Sequence, residues 1–251
     1  MKKYFKGFLM AISMFTVIPL PRYEWDDEGG KNIMKFYPVI GLIVGLIWYG
    51  VFRLLNLLGA SIMVTTAITL ITPFILTGML HLDGYMDVCD ALLSRRDKEE
   101  KLRILKDPHT GAFAVISVVM LFVVNFSALY TVISNNYGTF GLILIPIISR
   151  SLMGYLLLSK ESMKRSSLGA FFKQGTGKID RFILLSSLII SSIISIFIFG
   201  ICGLILSLAM ILVSTFFVNN AVKEFGGMSG DSAGYGLVIA ETIGILILSF
   251  I

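Results

Sequence analysis

Seven long apolar runs restrict what this chain can fold into. All but one, the run 204–218, are close in length to the ~20 residues that an α-helix needs to cross a bilayer. Charged residues make up only 15% of the chain, whereas a soluble domain carries about 25%, and the mean hydropathy is +0.86. The runs cover residues 36–58, 61–80, 111–134, 139–159, 182–200, 204–218 and 233–251.

This pattern predicts an all-α protein, a polytopic transmembrane helical bundle of about seven spans. We expect a single integral-membrane domain over residues 1–251, held in a lipid bilayer. The chain begins with several lysines and continues as a short apolar run to Leu20. That run is short for a span, so we interpret it as an interfacial or re-entrant helix, with a true span as the alternative.

The basic residues lie in a few loops, and their distribution predicts the topology. Three charged segments, residues 82–110, 160–181 and 219–232, alternate with short turns that contain no Lys, Arg, Asp or Glu. Such an asymmetry is typical of a membrane protein whose charged segments face the cytoplasm. The net charge of +5 is therefore explained by topology, and we expect no nucleic-acid partner.

The first charged segment carries an acidic pattern that favours metal binding. Asp83, Asp87 and Asp90 stand at i, i+4 and i+7, so on a helix they lie within roughly 60° of arc. Like charges at that spacing repel, which favours a cation among them. Carboxylates suit Mg²⁺, Mn²⁺ or Ca²⁺, and Mg²⁺ is usually held by a few carboxylates together with substrate phosphates. The alternative is a solvated acidic face at the end of a membrane helix.

A glycine-rich turn, Gly226 to Asp231, precedes the last apolar run. Glycines let a backbone wrap around an anion, and a helix N-terminus adds N–H donors. Asp231 is either a metal ligand or the N-cap of the final helix. The predicted topology also brings Asp107 and His109 to this face. Carboxylates, basic residues and a glycine turn on one membrane face favour metal-assisted phosphoryl transfer.

Three more charged residues are candidates for specific roles. Arg150 and Glu241 lie within apolar runs, where a charge costs at least ~2.5–3.5 kcal/mol on insertion scales. Each should therefore face the bundle interior, and we predict an ion pair between them. Arg150 is also a candidate for substrate binding. Arg22 is a candidate for binding phosphate, with an interface anchor as the alternative.

Several motifs are spread over nearly the whole chain: residues 15–21, 36–41, 77–90, 105–113 and 225–231. They resemble, in order, the motifs of the cobalamin synthases, also called adenosylcobinamide-GDP ribazoletransferases. The most specific is the HLDG-xxD-xxD pattern followed by KD-x-x-x-G. Two positions depart from the family pattern. His109 stands where the family usually has Arg, and Ser229 replaces a Thr and keeps the hydroxyl group.

The resemblance implies a reaction in which adenosylcobinamide-GDP and α-ribazole give adenosylcobalamin and GMP. With α-ribazole 5′-phosphate the product would be the corresponding 5′-phosphate. It also implies Mg²⁺ as cofactor and the cytoplasmic (inner) membrane of a prokaryote as location, with the active-site loops facing the cytoplasm. A homo-oligomer and association with other corrinoid-pathway enzymes are both compatible with the sequence.

The same resemblance implies roles for the matching positions. The diphosphate would be bound through Mg²⁺ held by Asp83, Asp87, Asp90 and Asp231. The general base for the attacking ribose hydroxyl would be His81 or Asp107. The remaining polar and glycine positions would bind substrate phosphate: Lys106, His109, Gly111, Gly226, Gly227, Ser229 and Gly230.

Other protein classes explain the sequence less completely. A CDP-alcohol phosphotransferase is also membrane-bound and Asp-rich, but its Gly-xxx-Asp-xxx-Asp continuation is missing after Asp83-Gly84. An intramembrane prenyltransferase would have two separated Asp-rich helices, which the 226–231 turn fits poorly. A transporter would place polar groups near the membrane midplane within broken helices, whereas we predict the acidic motif at the cytoplasmic edge.

Overall fold

The computed structural model describes residues 2–20, 27–163 and 171–250. Every regular element within these ranges is helical, apart from an isolated parallel bridge between Ser162 and Met228, and this confirms the all-α prediction. A 3-10 turn, Ile33–Phe36, leads into the third helix. The α-helices are α1 Lys2–Phe15, α2 Asp27–Gly30, α3 Tyr37–Leu57, α4 Ile62–Leu76, α5 Leu80–Leu93, α6 Lys98–Ile104, α7 Ala112–Asn135, α8 Gly141–Ser159, α9 Lys178–Phe199, α10 Ile201–Phe225 and α11 Gly230–Leu248.

The number of membrane spans agrees with the prediction of about seven. Six helices of the described chain are long and apolar enough to cross a membrane, namely α3 with its preceding 3-10 turn, α7, α8, α9, α10 and α11. Helices α4 and α5 pass the same test only together, and they are bent by 90° at the break between them. Counting that pair gives seven. Helix α1 has 14 residues, fewer than the ~20 that a span needs.

The distribution of side chains is that of a protein in lipid. Large apolar residues point outward from the spans; Phe197 is 85% exposed and Leu212 is 65% exposed. Small hydroxyl residues such as Ser207 and Ser214 are buried between helices, and each donates a hydrogen bond to a carbonyl one turn earlier. Small residues at helix contacts let backbones approach in the absence of a hydrophobic driving force.

Helix α8 is the most buried of the spans, and it packs against α3, α9 and α11. Two glycines allow its close approach to α3. A Cβ on Gly41 would lie 2.4 Å from the carbonyl oxygen of Pro146, and a Cβ on Gly45 would lie 2.5 Å from that of Ile143. Because the contacts run in opposite directions along the two helices, α3 and α8 are antiparallel.

Adding a methyl group at either glycine should destabilise the bundle. We expect Gly41→Ala and Gly45→Ala each to cost about 1–3 kcal/mol, because the neighbouring backbone would have to move. Gly50 in the same helix has open space around it, so Gly50→Ala is the matched control and should be neutral or slightly stabilising. The measurement is the apparent melting temperature of the detergent-purified proteins. Equal melting temperatures for all three variants would contradict this packing.

Helix α10 is longer than the sequence predicted. We expected a span over residues 204–218 and a polar loop from residue 219, and that boundary is wrong because the helix continues to Phe225. Beyond the apolar run, Ala221 and Phe225 are buried in a second core cluster. Hydropathy detects the part of a helix in lipid and misses a polar continuation that is stabilised by tertiary packing.

The charged helix α6 is shorter than predicted. The sequence of residues 93–106 predicts a charged amphipathic helix with Leu102 and Leu105 on its apolar side. In the structure α5 extends to Leu93, and Arg95 then adopts a left-handed φ of 54°. Helix α6 begins at Lys98, after Asp97, whose carboxylate accepts a hydrogen bond from the N–H of Glu100 at 3.0 Å. The predicted apolar side is confirmed, since Leu105 is buried.

The three charged segments meet on one face of the bundle, as the charge asymmetry predicted. The ammonium group of Lys101 lies 2.6 Å from the carboxylate of Glu224, which joins the first segment to the third. The N–H of Met228 donates a hydrogen bond to the carbonyl of Glu161 at 2.8 Å, and the carbonyl of Met228 accepts one from the N–H of Met163 at 3.0 Å. These bonds join the second segment to the third. We call this end of the bundle the charged face.

Candidate active site

A sharp bend brings the acidic motif to the charged face. After α4, Gly78 and Met79 both have left-handed backbone conformations, with φ of 59° and 61°. Helix α5 then runs at 90° to α4. For a residue with a side chain, such as Met79, this conformation is uncommon and costs free energy. The bend therefore positions α5 across the end of the bundle instead of along it.

Helix α5 presents the three aspartates on one side, as their spacing predicted. Asp83 is exposed, and Asp87 and Asp90 are partly exposed. The opposite side of the helix is buried and includes Leu82 and Val88. We call the side that carries the three carboxylates the aspartate face.

The buried side of α5, next to the aspartate face, lies against the beginning of α11. A Cβ on Gly84 would lie 2.9 Å from the Cα of Asp231, so the two helices are in backbone contact there. The negative charges of Asp83, Asp90 and Asp231 all act on that of Asp87. Across residues 2–20, 27–163 and 171–250, no group of three or more His, Cys, Asp or Glu side chains is placed to hold a metal ion. The four aspartates thus influence one another electrostatically without three of them forming a metal site.

The carboxylate of Asp90 lies at the N-terminus of α7. Its Oδ1 accepts a hydrogen bond from the N–H of Ala114 at 3.3 Å. A Cβ on Gly111, the residue before α7, would lie 2.1 Å from Asp90 Oδ2. A negative charge at this end of a helix is favourable. Asp90 therefore binds α7 to α5, and Gly111 makes space for it; the phosphate-binding role of Gly111 stays a prediction.

Asparagine at position 90 should be tolerated if this bond is the main function of Asp90. Asp90→Asn keeps an acceptor oxygen, so we expect nearly unchanged melting temperature and transfer rate. Asp90→Leu and Gly111→Ala should each cost about 1 kcal/mol, the usual loss for a helix cap, and their effects should not add in the double variant. Loss of turnover in a folded Asp90→Asn protein would instead identify a metal ligand.

In the turn between α10 and α11, the first backbone N–H groups already donate hydrogen bonds within the protein. Gly226 has a left-handed φ of 78°, and both Gly226 and Gly227 donate their N–H groups to the carbonyl of Val222, at 2.9 and 3.0 Å. The N–H of Met228 is also bonded, as described above. The predicted phosphate cradle at Gly226 and Gly227 therefore has no free backbone donor at these two residues.

The start of α11 identifies the helix cap that the sequence left open. Ser229 is the N-cap, because its Oγ accepts the N–H of Ser232 at 3.1 Å. Asp231 lies in the first turn and is not the cap. N–H groups of a first helical turn, here those of Gly230 and Asp231, have no intrahelical acceptor. The predicted anion site can therefore be only at this end of the turn.

The segment after α6 presents Lys106, Asp107 and His109 to solvent. Asp107 accepts the backbone N–H of His109 at 3.0 Å, and its Oδ1 lies 2.7 Å from the Nδ1 atom of the same residue. These bonds hold the pKa of the Asp107 carboxyl below its usual value. Asp107 is thus ionised at neutral pH and accessible, but it is a weak base.

The other candidate base, His81, has a different environment. Its side chain is 7% exposed and lies near the rings of Phe15 and Tyr37, with centroid distances of 6.3 and 6.4 Å. Its Nε2 atom is buried and has no hydrogen-bond partner among the described residues. A free ring nitrogen suits proton transfer, whereas the deep burial requires the substrate hydroxyl to reach it.

The predicted ion pair between Arg150 and Glu241 is confirmed. Arg150 Nη1 lies 2.5 Å from Glu241 Oε1, and it also contacts the Pro146 carbonyl at 3.3 Å. The Oγ of Ser149 donates to the same Glu241 oxygen at 3.0 Å. Arg150 is 1% exposed, so its position gives no support to the predicted role in substrate binding. Arg22, the other predicted phosphate ligand, lies outside the described residues.

A cleft of about 960 Å³ opens on the charged face. One wall is formed by α6 and the segment that follows it, and Met163, Phe225 and Gly226 form the other. Below it lies the second core cluster, in which buried residues of α5, α10 and α11 pack with Leu105. The charged residues that line the cleft are Lys98, Glu99, Arg103, Lys106 and Asp107.

Sequence reasoning missed Lys98 and Glu99 because it assigned the charges of this segment to membrane topology. The spacing of these residues on a helix could have revealed the wall of the cleft. Lys98 and Leu102 are four residues apart, so they share one side of α6, and both line the cleft. The opposite wall comes from residues more than 50 positions later, which no local pattern reveals.

The helical bundle and its charged face define a class of protein. It is a multi-pass membrane protein with an acidic cluster and a charged cleft at one end of the bundle. The chain belongs to the family described as cobalamin-5-phosphate synthase, which matches residues 7–249. It is therefore an enzyme of cobalamin biosynthesis, a transferase.

Relatives over the full length are named adenosylcobinamide-GDP ribazoletransferase. The protein of Clostridium perfringens (strain SM101 / Type A) is 54% identical over 251 residues, 100% of both chains. That of Clostridium botulinum (strain Alaska E43 / Type E3) is 49% identical, covering 98% of this chain and 97% of its own. A Brevibacillus brevis protein is 34% identical, covering 96% and 97%. No solved structure gives a significant match.

Proposed function

We propose that this enzyme joins adenosylcobinamide-GDP to α-ribazole, or to α-ribazole 5′-phosphate, and releases GMP. The product would be adenosylcobalamin or its 5′-phosphate. The names of the relatives support the substrates. The observation that carries the proposal is the contact of α5 with α11 at Gly84 and Asp231. It gathers acidic side chains of two helices at the end of the bundle that also bears the cationic cleft.

The aspartates suit Mg²⁺ brought in with the diphosphate. A magnesium site is usually completed by water and substrate phosphates, with only one or two protein carboxylates. An incomplete cage of mutually repelling carboxylates fits this requirement. We propose Asp87, together with Asp83 or Asp231, as the ligands. Asp90 is left out because its carboxylate is bonded to α7. The metal would neutralise charge on the diphosphate and stabilise GMP as the leaving group.

The side chains would act on the attacking hydroxyl group and on the phosphates of the substrate. A ribose oxygen of α-ribazole bonds to the corrinoid-side phosphorus, and the bond from that phosphorus to the oxygen of GMP breaks. Lys106 and the first N–H groups of α11 would bind phosphate charge. His81 or Asp107 would accept the proton of the attacking hydroxyl. Comparing His81→Gln with Asp107→Asn identifies the base as the residue whose loss lowers kcat and removes the fall in kcat at low pH, where a general base is protonated.

The charge asymmetry supports a location in the cytoplasmic membrane with the charged face toward the cytoplasm. Cysteine labelling can test this orientation. A cysteine at Lys178, on the charged face, should react with an impermeant maleimide only in inverted vesicles. One at Asn136, in a turn at the other end, should react only in right-side-out vesicles. The reverse pattern would overturn the orientation.

An in vitro assay tests the function directly. Detergent-purified protein would be given adenosylcobinamide-GDP and α-ribazole with either Mg²⁺ or EDTA, and GMP and adenosylcobalamin would be followed. We expect equal amounts of both products with Mg²⁺ and none with EDTA. Turnover that persists in EDTA would remove the metal from the proposal. Absence of both products, in protein shown to be folded, would overturn the substrates.

A further inference from the structure

The cleft on the charged face contains more binding groups than one phosphate contact requires. Lys98 and Lys106 are exposed on its wall, and within the described part of the chain neither ammonium group is within ion-pair distance of a carboxylate. Arg103, by contrast, is held by two hydrogen bonds to Glu100 at 2.8 and 2.6 Å. Two unpaired cations in a cleft of about 960 Å³ suit an anionic ligand of substrate size.

The cleft wall is fixed in place and reaches toward the aspartate face. Lys101 binds α6 to α10 through Glu224, and Leu105 anchors its end in the second core cluster. The ammonium group of Lys98 extends to the opposite wall, because a Cβ on Gly226 would lie 2.7 Å from it. Asp231 is five positions after Gly226, so the two residues are at most about 18 Å apart. One ligand can therefore contact both places.

We propose that this cleft binds the guanosine nucleotide part of adenosylcobinamide-GDP, and GMP after the reaction, with Lys98 and Lys106 on its phosphates and Glu99 on its base. This assignment rests on the proposed function. Of the two substrates, the GDP conjugate carries the diphosphate and yields an anionic leaving group, whereas α-ribazole itself has no phosphate. The cations of the cleft therefore complement the nucleotide.

Glu99 supplies the reason to assign the base. It is exposed on the cleft wall, next to the lysine assigned to phosphate. A carboxylate has two acceptor oxygens and no donor. Guanine offers a neighbouring ring N–H and the N2 amino group, which is a donor. The base of IMP lacks that amino group, so a site that uses Glu99 should prefer GMP over IMP. Leu102 and Met163 provide apolar surface for the ring.

The test uses the full-length detergent-purified protein with unphosphorylated α-ribazole, so that only the nucleotide side carries phosphate. Lys98→Ala and Lys106→Ala should each raise the inhibition constant of GMP and the KM for adenosylcobinamide-GDP roughly tenfold, with an unchanged KM for α-ribazole. Lys178→Ala, on the same face but outside the cleft, is the matched control and should behave as wild type. Glu99→Ala should remove most of the preference for GMP over IMP.

Two results would overturn the assignment. A parallel assay uses α-ribazole 5′-phosphate as the acceptor. If the lysine variants raise only the KM for this phosphorylated acceptor, the cleft binds the other substrate, and the transferase function still stands. If wild-type protein does not bind GMP in an equilibrium measurement, the cleft is not a nucleotide site. That measurement needs no turnover, so it also separates failure of this inference from failure of the proposed reaction.

Discussion

Replacing Asp87 with asparagine is expected to abolish transfer while leaving the protein at least as stable as wild type. Asp87 is central in the acidic cluster and is repelled by Asp83, Asp90 and Asp231. Removing its charge relieves that repulsion, so the melting temperature should stay the same or rise. If the same charge binds the metal of the diphosphate, its loss removes stabilisation from the transition state. We expect transfer to fall at least about a hundredfold.

The matched control for this experiment is Asp97→Asn. It removes an aspartate charge from the same charged segment, and asparagine is as good an N-cap for α6 as aspartate. Both variants would be assayed for GMP release over a range of Mg²⁺ concentrations, with melting temperatures measured in parallel. Full activity of Asp87→Asn would refute its assignment as a ligand. A much lower melting temperature would show that the carboxylate is structural.

The acidic pattern and the intramembrane charges were predictable because each follows from one local rule. Helical spacing alone placed Asp83, Asp87 and Asp90 on one side of α5, and the free-energy cost of a charge in lipid predicted the pairing of Arg150 with Glu241. The charge asymmetry likewise predicted which segments would meet. In each case the position of the residue follows from the membrane environment or from the 3.6-residue period of a helix, and it does not depend on the details of packing.

Other features depend on contacts between distant parts of the chain. The 90° bend before α5 coincides with left-handed conformations of both Gly78 and Met79, and methionine is a residue type that carries no turn signal. Asp90 looked like a third ligand, and only the position of α7 reveals its bond to Ala114. The glycines at 226 and 227 resembled an anion cradle, but Val222 accepts their N–H groups. Sequence patterns give the chemical types present and leave their partners undetermined.

Removing one partner of the Arg150–Glu241 pair should destabilise the bundle more than the other single changes considered above. Arg150 belongs to the most buried span and is 1% exposed, so the remaining charge has no route to water. Breaking a buried ion pair in this way costs about 3–5 kcal/mol. We expect Arg150→Met and Glu241→Leu each to lower the apparent melting temperature and the yield of monodisperse protein. Arg53→Met, which removes an exposed arginine of α3, is the matched control.

The double variant Arg150→Met/Glu241→Leu distinguishes a structural pair from a substrate-binding arginine. With both charges removed, apolar side chains can fill the space, and such replacements are often neutral or stabilising. We therefore expect the double variant to be more stable than either single variant and to retain transfer activity. A folded double variant whose KM for adenosylcobinamide-GDP rises sharply would show instead that Arg150 contacts substrate. In that case the pair with Glu241 would have to open during catalysis, because the guanidinium bonded to Glu241 is not accessible to substrate.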